Sequence, residues 1–158
     1  IPGYTGDNSS LFQGAMSLIV EKVHDFALHQ KQTFVLDGTL ANYDKAVDNI
    51  ERSLKKERPV TIFYVYQKPE IAWDFTEARE AKEGRNIPKS AFIEQFFAAK
   101  DTITRIRKAF LQSTILMYLV KRDFERDTVE YIQIAPGDKP LDAYIGEEYT
   151  QDELRERL

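Results

Sequence analysis

A chain of 158 residues and 18.3 kDa is long enough to bury one hydrophobic core and too short for two ordinary ones. Its 42% hydrophobic and 30% charged content, with only 7 Gly and 6 Pro, excludes fibrous, low-complexity and disordered classes. Twenty-two Lys and Arg against 26 Asp and Glu leave a net charge of -4, so nothing in the balance favours duplex nucleic acid or an anionic membrane.

Residues 1–9, rich in Gly, Asp, Asn and Ser, read as a loop, with Ser9 or Ser10 as N-cap of the next element. Leu11, Phe12, Met16, Leu18, Ile19, Val23, Phe26 and Ala27 recur at helical spacing and predict an amphipathic helix over 10–30. Thr33-Phe34-Val35-Leu36, stopped by Asp37-Gly38-Thr39, predicts a short buried strand ending in a polar turn. Tyr43, Ala46, Val47, Ile50 and Leu54 restore the helical period over 41–57, and Lys55, Lys56 and Arg58 suit the negative end of a helix dipole. After Pro59, the run Val60 to Tyr66 is the strongest strand signal in the chain, and its near-continuous apolar character suits a parallel strand covered on both faces.

Pro69 can open a helix over 69–82, which Gly84 ends. Pro88 precedes a long amphipathic stripe through Phe92, Ile93, Phe96, Phe97, Ile103, Ile106 and Phe110. The runs 114–121 and 128–134 predict a hairpin around a charged turn, and Pro136-Gly137-Asp138 reads as a loop. Thr150 and Glu153 have capping-box spacing before a short final helix. Two apolar strands separated by a helix predict a βαβ unit and an α/β class with a mostly parallel sheet, arranged as a single domain over 1–158. Ligands of such sheets collect at the carboxyl ends of the strands, which points to Asp37-Gly38-Thr39 and to the turn after Tyr66.

The residue inventory narrows the chemistry. Zero cysteines exclude disulfides, thiolate zinc sites, iron–sulfur clusters and a cysteine nucleophile. His24 and His29 are five apart, which does not stack them as a metal pair, so both read as bystanders. No run approaches the ~18 apolar residues of a membrane span, and no secretory signal opens the chain, so a cytoplasmic setting is expected. The chain starts Ile1-Pro2-Gly3 without an initiator methionine, as a piece of a longer polypeptide would. None of the seven glycines is followed by Lys, so a Walker A loop is absent from these 158 residues.

Asp37, Gly38 and Thr39 present a carboxylate, a hydroxyl and open backbone amides together, for a polar ligand or as the cap of the following helix. Arg79 and Arg85 flank a helix end and the loop behind it; a guanidinium fork suits phosphate oxygens, and Glu77, Glu80 and Glu83 offer the alternative of surface ion pairs. Glu21 on the first helix reads by itself as a solvated carboxylate, and Trp73 with Phe92, Phe96 and Phe97 as core.

Phe34-Val35-Leu36-Asp37-Gly38-Thr39, Ala41-Asn42-Tyr43, Lys45-Ala46, Phe63-Tyr64-Val65-Tyr66 and Ala72-Trp73 follow one another in the order and spacing of a known family. Ala78-Arg79-Glu80, Glu83-Gly84-Arg85, Pro88-Lys89 and Phe92 to Phe97 continue it, and from about Tyr4 to Phe110 the chain resembles the zeta toxin family of P-loop kinases. The resemblance implies a P-loop-kinase-like parallel sheet flanked by helices, here with the P-loop strand missing, a kinase-like part over 1–110, and a C-terminal β-hairpin and short helix over 111–158. It implies an ATP- and Mg2+-dependent kinase that phosphorylates a sugar hydroxyl of UDP-N-acetylglucosamine or a related nucleotide sugar, held inactive by an antitoxin protein.

Carried over by position, Arg79 and Arg85 would contact the transferring phosphate, and Glu21, Asp37, Thr39 and Asn49 the amino-sugar substrate. Where family members carry Glu, Arg and Thr, this chain has Asp37, Ala41 and Asn49. The family's P-loop strand would lie between strands 33–36 and 60–66, so native folding is expected to need an upstream segment, another chain or a rearranged sheet to fill that slot, because each unsatisfied backbone group costs roughly 1–3 kcal/mol. The resemblance leaves two readings: the substrate and lid part of such a kinase, or a non-catalytic remnant serving as a binding or interaction protein.

Overall fold

The computed structural model describes residues 8–84, 86–124, 126–135 and 137–158, without the side chains of Ser9, Ser10 and Gln13. Its elements are α1 (Ser9–His29), α2 (Tyr43–Leu54), β1 (Thr61–Tyr66), α3 (Pro69–Glu83), α4 (Lys89–Ala109), β2 (Leu116–Asp123), β3 (Thr128–Gln133), α5 (Asp142–Ile145) and α6 (Gln151–Arg157). The loop expected before residue 8 and the Ser9 and Ser10 side chains lie outside the description; the residue at the N-cap of α1 is Asn8.

The sheet has the order β1-β2-β3. β1 runs parallel to β2, from Thr61 opposite Leu116 to Tyr66 opposite Lys121, and β3 returns antiparallel, as the hairpin signal predicts. Alternation along β1 turns Ile62, Tyr64 and Tyr66 to one face. There they meet Met117 and Leu119 of β2, Ala46 and Ile50 of α2, and Ala99, Ile103 and Ile106 of α4. The three- and four-residue spacings on α4 set its buried stripe against the sheet, each large apolar side chain contributing roughly 1.5–3 kcal/mol. Leu141 and Ile145 complete this cluster from the C-terminal segment. The Thr150 capping box forms as predicted: the Glu153 N–H donates to Thr150 Oγ1 at 3.2 Å and the Thr150 N–H to Glu153 Oε2 at 2.8 Å, which starts α6 and fully buries Leu154.

The expected strand 33–36 is not formed. Residues 33–36 belong to an irregular connector between α1 and α2, with Val35 95% exposed. A β-branched run becomes a strand only with a ladder to join, and the outer edge of β1 pairs with no strand among the described residues. The predicted βαβ unit of 33–36 and 60–66 is thus replaced by the parallel pair of β1 and β2, joined through α3 and α4. The expectation that the 60–66 strand is covered on both faces holds for one face only: Phe63 and Val65 remain 54% and 68% exposed, beside exposed Leu116 and Tyr131. Phe92, Phe96 and Phe97, expected in the core, are half-buried in an aromatic ladder with Trp73 and Tyr149.

Candidate functional site

α1 and α2 lie side by side, tied by matched polar pairs. Lys45 donates to Glu21 at 3.0 Å, and Arg52 pairs with Asp25. Between them His24 is buried, its ring edge-on to Phe34 of the connector at 4.9 Å. The helix seam therefore brings two expected sugar-site residues, Glu21 and Asn49, onto facing helices, with Glu21 paired to a lysine rather than simply solvated.

Burial, and then the nearby Arg52 cation, hold the His24 imidazole below its ordinary value of 6.5, against the opposing pull of Asn49, Asp25 and Asp48. A group whose folded-state value is lowered is less protonated than in the unfolded chain, so its contribution is full above pH 6.5 and is lost as pH falls below it. We expect urea midpoints of the wild type to drop between pH 7.5 and 5.5 more steeply than those of His24→Gln. Parallel curves would show that His24 does not couple the α1 seam to pH.

Asp37 and Thr39 sit on the exposed connector that leads from α1 into α2. Neither caps α2: the Asn42 side chain accepts the Lys45 N–H at 2.9 Å, while Thr39 Oγ1 accepts the Ala41 N–H at 3.4 Å. The capping alternative for Asp37 and Thr39 is thereby removed. Leu40 turns the connector with a positive φ of 55° and packs against the core, which sets Asp37 and Thr39 outside it.

Arg79 lies on the exposed face of α3 and makes no ion pair with Glu77, Glu80 or Glu83 among the described residues; Glu80 instead accepts from Asn86 at 2.7 Å. Arg85 lies outside the described residues. Gly84, left-handed at φ 68°, ends the helix between the two arginines.

The carboxyl end of β1, the turn after Tyr66 to which the strand-end rule points, carries a cluster whose partners from the C-terminal segment had no sequence signal. Lys68 pairs with Glu147 at 2.8 Å, the Tyr149 hydroxyl donates to Glu147 at 2.5 Å, and Arg157 reaches Glu70 at 3.3 Å, lining a cleft of about 440 Å³. The hydrogen bonds from Lys68 and Tyr149 hold the Glu147 carboxyl below its ordinary range. Burial, followed by the Glu147 charge, raises the buried Tyr66 phenol at the strand end. The Arg157 to Glu70 pair joins positions 87 apart in the chain, so no local spacing could reveal these partners.

For ATP and Mg2+ the residues present do not suffice. The sequence contains no Gly-Lys pair, and the described residues hold no group of three His, Asp or Glu side chains placed to bind a metal ion. No helix among the described residues is long and apolar enough to cross a membrane.

The family model for the zeta toxin matches residues 1–131. Such membership implies kinase-type activity on a nucleotide with ATP and Mg2+, and antitoxin partnership, in general terms. No curated protein and no solved structure matches the chain. The match spans the connector, the α1–α2 seam, α3 with Arg79 and the β1–β2 pair, in an α/β fold that lacks a P-loop: the chain belongs to the zeta toxin family.

Proposed function

We propose that this chain supplies the acceptor and lid parts of a kinase that phosphorylates a sugar hydroxyl of UDP-N-acetylglucosamine or a related nucleotide sugar, as the toxin of a cytoplasmic toxin–antitoxin pair. The observation that carries the reading is the family match over 1–131 together with an Arg79 that is exposed on α3 and has no ion pair among the described residues. Phosphoryl transfer needs positioning and positive charge around the equatorial oxygens more than covalent help. In this reading Arg79 and Arg85 fork onto phosphate oxygens, and Glu21, Asp37, Thr39 and Asn49 hold the amino sugar and its hydroxyl. The loop that cradles ATP then comes from outside these 158 residues, with its strand pairing on the edge of β1 that has no partner strand among the described residues. The single domain of the sequence reading extends through the C-terminal segment, supported by Leu141 and Ile145 in the shared core.

A non-catalytic binding role is favoured by a different observation, the uncovered apolar face around Phe63, Val65 and Tyr131. The test incubates the polypeptide with ATP, Mg2+ and UDP-N-acetylglucosamine and follows 31P resonances, once as the 158-residue chain and once as the natural polypeptide that contains it. Phosphorylated nucleotide sugar from the longer form alone supports the kinase reading with an external loop. No product from either form, with both folded, leaves the binding role.

A further inference from the structure

Phe75 of α3 and Phe124, the first residue after β2, meet with ring centroids 5.1 Å apart and planes tilted by 49°. The Arg122 guanidinium covers one face of the Phe124 ring at 4.4 Å from its centroid. This is not core packing: Phe75 is 50% exposed and Phe124 40% exposed. The cluster stands at the carboxyl end of β2, where parallel α/β sheets collect ligands. Phe75 also lies four residues before Arg79, which stacks the two side chains on one face of α3 with a rise of roughly 6 Å between them.

Half-exposed aromatic rings beside a planar guanidinium form the surface on which nucleobases stack, since every base offers a π-face to a ring or an arginine. A rise of one helical turn is also the scale that separates the base of a nucleotide from its first phosphate. We infer that Phe75, Phe124 and Arg122 form a stacking platform for a nucleobase whose phosphate extends along α3 to Arg79. The inference rests on the phosphate role proposed above for Arg79. It names a site for the base, which neither the family match nor the sequence reading assigns. The aromatic face accepts a purine or a pyrimidine, and only a direct comparison of the two separates them.

The test titrates the 158-residue chain with AMP, UMP and ribose 5-phosphate, read by saturation-transfer NMR and by fluorescence of Trp73, the single tryptophan, two residues before Phe75. Saturation is expected on the base protons of AMP or UMP, the stronger of the two identifying the base class. Phe124→Leu is expected to weaken nucleotide binding about tenfold and leave ribose 5-phosphate unchanged, whereas Phe124→Tyr keeps the face and the affinity. Arg79→Gln is expected to weaken all three ligands. Saturation confined to the ribose, no nucleotide binding at all, or Phe124→Leu binding like the wild type at an unchanged melting midpoint would overturn the platform. If ribose 5-phosphate still binds through Arg79 in those cases, the phosphate reading stands alone. Base contact that survives while Arg79→Gln changes nothing leaves the platform and removes Arg79 from the phosphate.

Discussion

Arg79→Ala, made in a preparation that phosphorylates its acceptor, is expected to lower kcat about 10³-fold while leaving the acceptor KM and the melting midpoint close to wild type. The size follows from what an arginine supplies in phosphoryl transfer: its fork meets the charge that spreads over the equatorial oxygens, and removal takes away an interaction made most strongly at that stage. Stability is spared because the Arg79 side chain is exposed and makes no ion pair with the glutamates of its own helix. Arg79→Lys is expected to recover only a small part, since an ammonium is a point charge and cannot bind two oxygens in one plane. Arg85→Ala, one residue after Gly84 in the sequence, is expected to behave in the same way. Steady-state kinetics against both substrates, with a thermal melt of each variant, provides the check. Wild-type turnover in Arg79→Ala would remove that residue from the site.

Leu154→Ala carries the largest expected stability loss, about 2–5 kcal/mol. Leu154 is fully buried, although it lies 23 residues beyond the end of the family match at residue 131. α6 reaches back to the body of the fold through the Arg157 to Glu70 pair, and Tyr149, just before its N-cap, through a ring contact with Phe96. The surface pair contributes little at its exposure, so most of the docking energy comes from Leu154, with Leu141 and Ile145. Truncating Leu154 leaves a cavity where α6 packs on α4, and its cost depends on how far the site can collapse. Urea unfolding of the variant should give one transition with a lowered midpoint and an unchanged slope. A second transition, or an unchanged first one, would mean that the C-terminal segment folds apart from the kinase-like region.

Local chemistry made most of the elements legible. Pro69 and Gly84 bound α3, the Thr150 and Glu153 spacing starts α6, and the apolar runs before and after residues 124–127 become the hairpin. The order of short motifs between residues 34 and 97 was enough to place the family. The misreading at 33–36 has a physical cause: strand propensity is a preference for a pleated, partnered surface, and hydrogen-bonding partners for that run are not local. The alternation of β1 likewise shows which side chains share a face, but not whether a second layer exists to cover Phe63 and Val65.

The expected site residues divide along the same line. Asp37, Thr39, Arg79 and Arg85 were readable because each stands next to a glycine turn or a helix end, where local rules apply. The roles of their neighbours were not. That Asn42 and not Asp37 or Thr39 caps α2, that Lys45 reaches Glu21 across the seam, and that buried His24 is edge-on to Phe34 all depend on how the helices pack. By itself the sequence determined the α/β class, the bounds of most helices and strands to within a few residues, the family and the absence of a Walker A loop, because these follow from period, turn chemistry and motif order. Only the tertiary structure decided that β2 is the parallel partner of β1, that one sheet face stays open, and that Tyr66, Lys68, Glu147 and Tyr149 meet at a strand end. Hydrogen-bond pairing and side-chain burial are made between segments distant in the chain, and no local pattern encodes their partners.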